Sequence, residues 1–153
     1  MTSTTHATFT IERFYDARPA RVFAAWSTPD IKYRWFACHG DWVSQGYGMD
    51  FRVGGREWNS TGPKGGTVHA YDAVYLDVVD GARIVLAYDM HLDKTRISVS
   101  LLTVEFRAEG GGTRLVFTEQ GAFLDGYDDV AGREQGSRIG LDNLDAELRS
   151  TAA

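Results

Sequence analysis

Glu119 is the residue of this chain best placed to do chemistry. In the run LVFTEQG, Leu115 to Gly121, it follows Leu115 and Phe117 on alternate positions, so an extended backbone carries all three on one face. A carboxylate among apolar neighbours must find a hydrogen-bonding or cationic partner, or take up a proton. Two roles are open to it. Facing a cavity, it orients a ligand hydroxyl or works as a general acid and base. Near a sheet end it closes a salt bridge, with Arg52, Arg56 and Arg138 as candidate partners. Tyr88 in RIVLAYDM (Arg83 to Met90) and Ser98 with Ser100 in RISVSLLTVEF (Arg96 to Phe106) also share the apolar parity of their stretches. These are the polar groups expected to break an otherwise apolar concave face, either inside a small-molecule cavity or at solvated strand ends.

Other reactive types lack the spacing their chemistry needs. His39, His69 and His91 fit no compact ligand motif, and His69 and His91 fall on the parity opposite to the apolar one, so no metal is expected. Cys38 is adjacent to His39, a placement that does not serve a thiolate and its base; it reads as a loop thiol near a pocket mouth. Gly54-Gly55 precedes no helix and lacks the phosphate-loop pattern. Asp125, Asp128 and Asp129 lack the spaced ligands and terminal Glu of a calcium loop. No cofactor is implied.

The bulk numbers set the frame. A chain of 153 residues, 43% hydrophobic and 24% charged, fits one globular domain over 1–153, with 1–7 expected as a flexible N-terminus. A net charge of −5, with the arginines dispersed, argues against nucleic-acid and anionic-membrane partners. The single cysteine permits no internal disulfide. The N-terminal MTSTTHATF lacks the basic and apolar regions of a signal peptide, and no apolar run is long enough to span a membrane, so a cytoplasmic location is expected.

Around these residues the pattern predicts a strand from Thr8 to Tyr15, then a helix opened by Arg18-Pro19 with Val22, Phe23 and Trp26 on one side. A second short helix follows Thr28-Pro29, with Ile31, Trp35 and Phe36. Met49, Phe51 and Val53 alternate with Asp50 and Arg52 up to a tight turn at Gly54-Gly55. Further strands are expected from Arg56 to Ser60, Val68 to Val78, Arg83 to His91, across RISVSLLTVEF, and from Thr113 to Gln120. From about Val130 the period becomes helical, with Ile139, Leu141, Leu144 and Leu148. Seven strands joined mainly by hairpins imply a curved antiparallel sheet, and a long last helix must cover its apolar face.

This order of elements, with its motifs, resembles the START/SRPBCC superfamily, the helix-grip or Bet v 1-like α+β fold. Within it the chain is similar to the branch related to the activator of Hsp90 ATPase. The matching residues are the Pro19-to-Trp26 helix, the Trp35-Phe36 pair, MDFRVGGREW (Met49 to Trp58), RIVLAYDM, RISVSLLTVEF, GGTRLVFTEQGAFLDG (Gly111 to Gly126) and the closing Leu141, Leu144 and Leu148. One departure stands out: many relatives carry Gly-Trp at the start of the last helix, and this chain reads Gly136-Ser137.

The resemblance implies an internal cavity between the sheet and the last helix. Its expected ligand-binding residues are Trp35, Phe36, Phe51, Tyr88, Met90, Ser98, Ser100, Leu102, Phe117, Glu119, Leu141 and Leu144. A small hydrophobic, aromatic guest suits the set of tyrosines and tryptophans. The alternatives are an enzyme like the polyketide cyclase/dehydratases, using Glu119 and Tyr88, and a protein-interaction role like that of the chaperone activators. A homodimer would cover edge strands and Trp42 or Trp58.

Overall fold

Side chains that alternate in polarity bury one face of a strand and leave the other wet. Seven such strands build a single antiparallel sheet here. The computed structural model describes residues 2–37 and 40–150. Strands β1 (Thr4–Tyr15), β2 (Val43–Met49), β3 (Arg56–Gly62), β4 (His69–Val79), β5 (Arg83–Leu92), β6 (Thr95–Glu109) and β7 (Gly112–Leu124) lie in the order β1-β7-β6-β5-β4-β3-β2. Helices α1 (Pro19–Ser27) and α2 (Pro29–Lys32), with a π-helical turn at Tyr33–Ala37, connect β1 to β2, and α3 (Val130–Ser150) ends the chain. Register shifts between Ser44 and Gly46, Tyr75 and Asp77, and Met90 and His91 add one residue to one strand of a pair. Such bulges bend the strand that carries them and deepen the curl of the sheet. This is the α+β helix-grip architecture.

The boundaries differ from expectation in three places. Strand β1 begins at Thr4, because Thr4 to Ala7 pair with Leu124 to Gly121. The run from Met49 to Gly55 is not a strand and tight hairpin: β2 stops at Met49, and Val53, expected on the concave face, is 58% exposed in the connection. Its alternation with Phe51 is a loop coincidence, since Gly54 N–H and Gly55 C=O pair with Tyr75 of β4 beyond the start of β3. Ile139 is 47% exposed. At about 100° per residue it lies some 200° from Leu141, off the buried leucine face. Cys38 and His39 lie outside the described residues.

The two halves of α3 are held differently. In the C-terminal half Leu141, Leu144 and Leu148 are buried in the core. Tyr15 Oη donates to the Leu141 carbonyl at 2.9 Å, and Arg21 Nη2 to that of Leu148 at 2.7 Å. Arg34 of the π turn grips Glu147 with two parallel bonds of 2.9 Å, which holds the Glu147 carboxyl below its usual range. In the N-terminal half the positions that line the space over the sheet are Gly132, Arg133, Gly136, Ser137 and Gly140.

Candidate functional site

Glycines on the inner side of α3 leave the curled sheet unfilled beneath them. A cavity of about 400 Å³ lies there, roofed by Gly132, Arg133, Gly136, Ser137, Gly140 and Leu141. A side-chain carbon added at Gly136 or Gly140 would meet nothing within 4 Å, so the room belongs to the backbone design and not to a rotamer. Trp26, Trp35, Phe36, Tyr71, Tyr88 and Phe117 make the wall aromatic, with Met90 and Leu102 between them. Trp42 and His69 stand at 4.6 Å ring to ring on the same wall. Burial keeps the His69 imidazole below its ordinary range, which favours the neutral form near pH 7. His69 therefore faces the cavity, on the same side of β4 as Tyr71, contrary to the parity read from the sequence.

The first of two polar clusters is the one built on Glu119. Strand β7 places it opposite Leu102 of β6, and Ser100 opposite Tyr88 of β5. Its two oxygens are both engaged. Tyr88 Oη donates to Oε1 at 2.7 Å; Ser100 Oγ donates to Oε2 at 2.9 Å, and Arg133 Nη1 reaches the same oxygen at 3.1 Å. Arg133 also donates to Tyr88 Oη at 3.1 Å and to Ser98 Oγ at 2.7 Å, with its guanidinium over the rings of Phe123 and Tyr88. The partner of Glu119 is thus Arg133, not Arg52, Arg56 or Arg138: Arg52 and Arg56 pair with Asp50 and Asp72 at the surface, and Arg138 with Glu134. Ser98 accepts from the arginine head and Ser100 donates to the carboxylate. Both are buried, so of the two positions open to them the solvated strand end is excluded. Burial raises the Tyr88 phenol well above its ordinary range, with the Glu119 charge adding to the effect, so Tyr88 keeps its proton.

The second cluster was not anticipated. Glu57 of β3 and Lys32 at the end of α2 form an ion pair of 2.8 Å in which neither side chain is more than 1% exposed. Tyr71 and Tyr75 donate to the same Glu57 oxygen at 3.1 and 3.0 Å, and Tyr47 to the other at 2.8 Å. Three phenols and an ammonium therefore share one carboxylate. Lys32 Nζ lies 4.5 Å from the Phe36 ring centre and 5.0 Å from that of Trp26, distances at which a ring face attracts a cation. Lys32 lines the cavity, and Tyr71 and Tyr88 touch at 5.0 Å, linking the two clusters along the wall.

Of the residues expected at a ligand site, Trp35, Phe36, Tyr88, Met90, Leu102, Phe117, Glu119 and Leu141 line the cavity. Ser98 and Ser100 stand behind Arg133 and Glu119. Phe51 is elsewhere, edge-on to Phe23 and Tyr75 at 5.8 and 4.9 Å, and Leu144 is wholly inside the core. Lys32, Glu57, Asn59 and Arg133 escaped the sequence reading, and His69 was assigned to the wrong face. Among the described residues no group of His, Cys, Asp and Glu is arranged to hold a metal, and no helix is long and apolar enough to cross a membrane.

The tyrosines supply a direct check on this geometry. Burial raises the phenols of Tyr15, Tyr47, Tyr71, Tyr75 and Tyr88, with Glu57 reinforcing it at Tyr47, Tyr71 and Tyr75. A raised folded-state value contributes stability in full below the unfolded value of about 10, and loses it as pH climbs toward the folded one. On alkaline titration followed near 295 nm, these five of the seven tyrosines should stay silent through about pH 11 and ionise together with unfolding. Smooth ionisation of all seven in folded protein would contradict the burial described.

Comparison with known proteins agrees with this architecture. No curated protein matches the chain. An uncharacterized protein of known structure from Rhizobium leguminosarum is 56% identical, with a TM-score of 0.95 over 98% of this chain and 99% of that one. A protein from Rhizobium loti is 44% identical, with a TM-score of 0.90 over 95% and 99%. One from Chromobacterium violaceum, 24% identical with a TM-score of 0.76 over 91% and 94%, shares the fold. The family described as Activator of Hsp90 ATPase homolog 1-like protein matches residues 16–149, and the chain belongs to that family.

Proposed function

We propose that the protein binds a small, mainly apolar, aromatic molecule between the sheet and α3. The observation that carries this reading is the cavity of about 400 Å³ with aromatic walls, a roof short of side chains and a few converging polar groups. Small-molecule sites commonly have that size and make-up. The reading takes the chain as a cytoplasmic protein, alone or as a homodimer, with no nucleic-acid or membrane partner. Native mass spectrometry of the purified protein and displacement of a fluorescent apolar probe test it. Uptake of the probe, reversed by a competing aromatic, is expected; an interior closed to every probe would overturn it.

A cyclase/dehydratase-like reaction has one observation in its favour, the Tyr88–Glu119 contact of 2.7 Å at the cavity wall. Against it, both Glu119 oxygens already receive donors, and Arg133 offsets its charge. A carboxylate so occupied is a poor general base until a substrate displaces a partner. If the reaction exists, a Glu119→Gln variant loses turnover while still binding. Chaperone activation rests on family membership alone, and no feature of the cavity speaks for it.

A further inference from the structure

The two cations that line the cavity are not equivalent. Arg133 spends Nη1 on Tyr88 and Glu119 and Nη2 on Ser98. Lys32 has three N–H donors and gives one, to Glu57. Among the described residues its ammonium has no other acceptor; its remaining neighbours are the faces of Phe36, Trp26 and Trp35. Glu57 cannot take more, since three phenols already occupy it beside Lys32. The same neighbourhood holds a second idle donor: Trp26 Nε1, on a residue 3% exposed, has no partner among the described residues. Two residues beyond Glu57 on the same face of β3, Asn59 lines the cavity with its Oδ1 also unpartnered. One end of the cavity thus has more buried donors than the protein satisfies, and buried polar groups left unmatched cost stability.

We propose that the cavity selects an aromatic anion, with Lys32 Nζ receiving its carboxylate or phenolate oxygen. The inference rests on the cavity being a ligand site and adds the charge of the guest and the group that reads it. An anionic oxygen satisfies the spare ammonium hydrogens with charge-assisted bonds, the strong kind. The ring it carries lies among Trp26, Trp35, Phe36 and Tyr71, while Asn59 can accept from a hydroxyl on that ring. Glu57, with its phenols, holds Lys32 in place so that the ammonium is already aimed when the guest arrives.

The test compares 2-naphthoate with its neutral isostere 2-naphthamide on the full chain at pH 7.5, by calorimetry or tryptophan fluorescence. The acid should bind about tenfold or more tightly than the amide, the range expected for a hydrogen bond to a charged group. A Lys32→Met/Glu57→Gln double variant removes both charges while nearly conserving volume, and circular dichroism checks its fold. In it the preference should collapse to about twofold or less. Equal binding of acid and amide by the natural protein, or a preference that survives in the folded double variant, overturns the inference. If neither naphthalene binds but a neutral apolar probe does, this inference fails and the ligand-site reading stands. If no probe enters at all, both fail.

Discussion

Replacing Glu57 by alanine will cost about 3–5 kcal/mol of stability, the usual cost of leaving one member of a buried ion pair without the other. Lys32 is 1% exposed, and among the described residues its ammonium has no second acceptor, only the rings of Trp26 and Phe36 against it. The loss of Glu57 also strands the hydroxyls of Tyr47, Tyr71 and Tyr75, each of which donates to it. Urea denaturation shows the effect as a lower midpoint at an unchanged slope. The Lys32→Met/Glu57→Gln pair should recover most of the loss, because neutral groups of similar volume avoid the desolvation of both charges. A loss below about 1 kcal/mol in Glu57→Ala would mean that the ammonium is satisfied without Glu57, and the ion pair described above would not hold this wall together.

Gly140→Leu will act on the guest and on the helix in opposite directions. A carbon built at Gly140 meets open space, and the residue forms part of the cavity roof, so a leucine there grows into the void. Probe affinity should fall by about tenfold or more as that space is lost. The helix gains, since leucine in place of an interior glycine recovers most of the about 0.8–1 kcal/mol of propensity that separates glycine from alanine. The combination separates this variant from ordinary damage: a higher melting temperature together with lost uptake. Unchanged uptake would place the binding site somewhere other than beneath α3.

The fold was legible because most of its signals are local, alternating stretches for most strands and leucines at helical spacing; β2 was not, since Val43–Met49 shows no alternation. Glu119 was legible for the same reason, standing on the parity of Leu115 and Phe117. Glu57 was hidden because β3 inverts the usual pattern. Its one large apolar residue, Trp58, faces outward at 45% exposure, while Glu57, Asn59 and Thr61 point into the molecule. Alternation alone therefore assigns β3 to the wrong side. Lys32 reads as an ordinary solvent-facing lysine at the end of a short helix, and its partner lies 25 residues away across the sheet. Arg133 carried a weak signal, a long cation beside glycines repeating every four residues, but only the curl of the sheet shows that it reaches Ser98.

Fastening the last helix by packed leucines at one end and by polar bonds around Arg133 divides its two halves in kind. The leucines and the grip on Glu147 keep the domain whole. The opposite turns, floored by glycine, are tied down to the strands chiefly by a single guanidinium. If the cavity takes the proposed guest, the turns around Arg133 are the ones whose release would cost only a handful of polar bonds. The curled sheet beneath keeps all its strand pairings in that case.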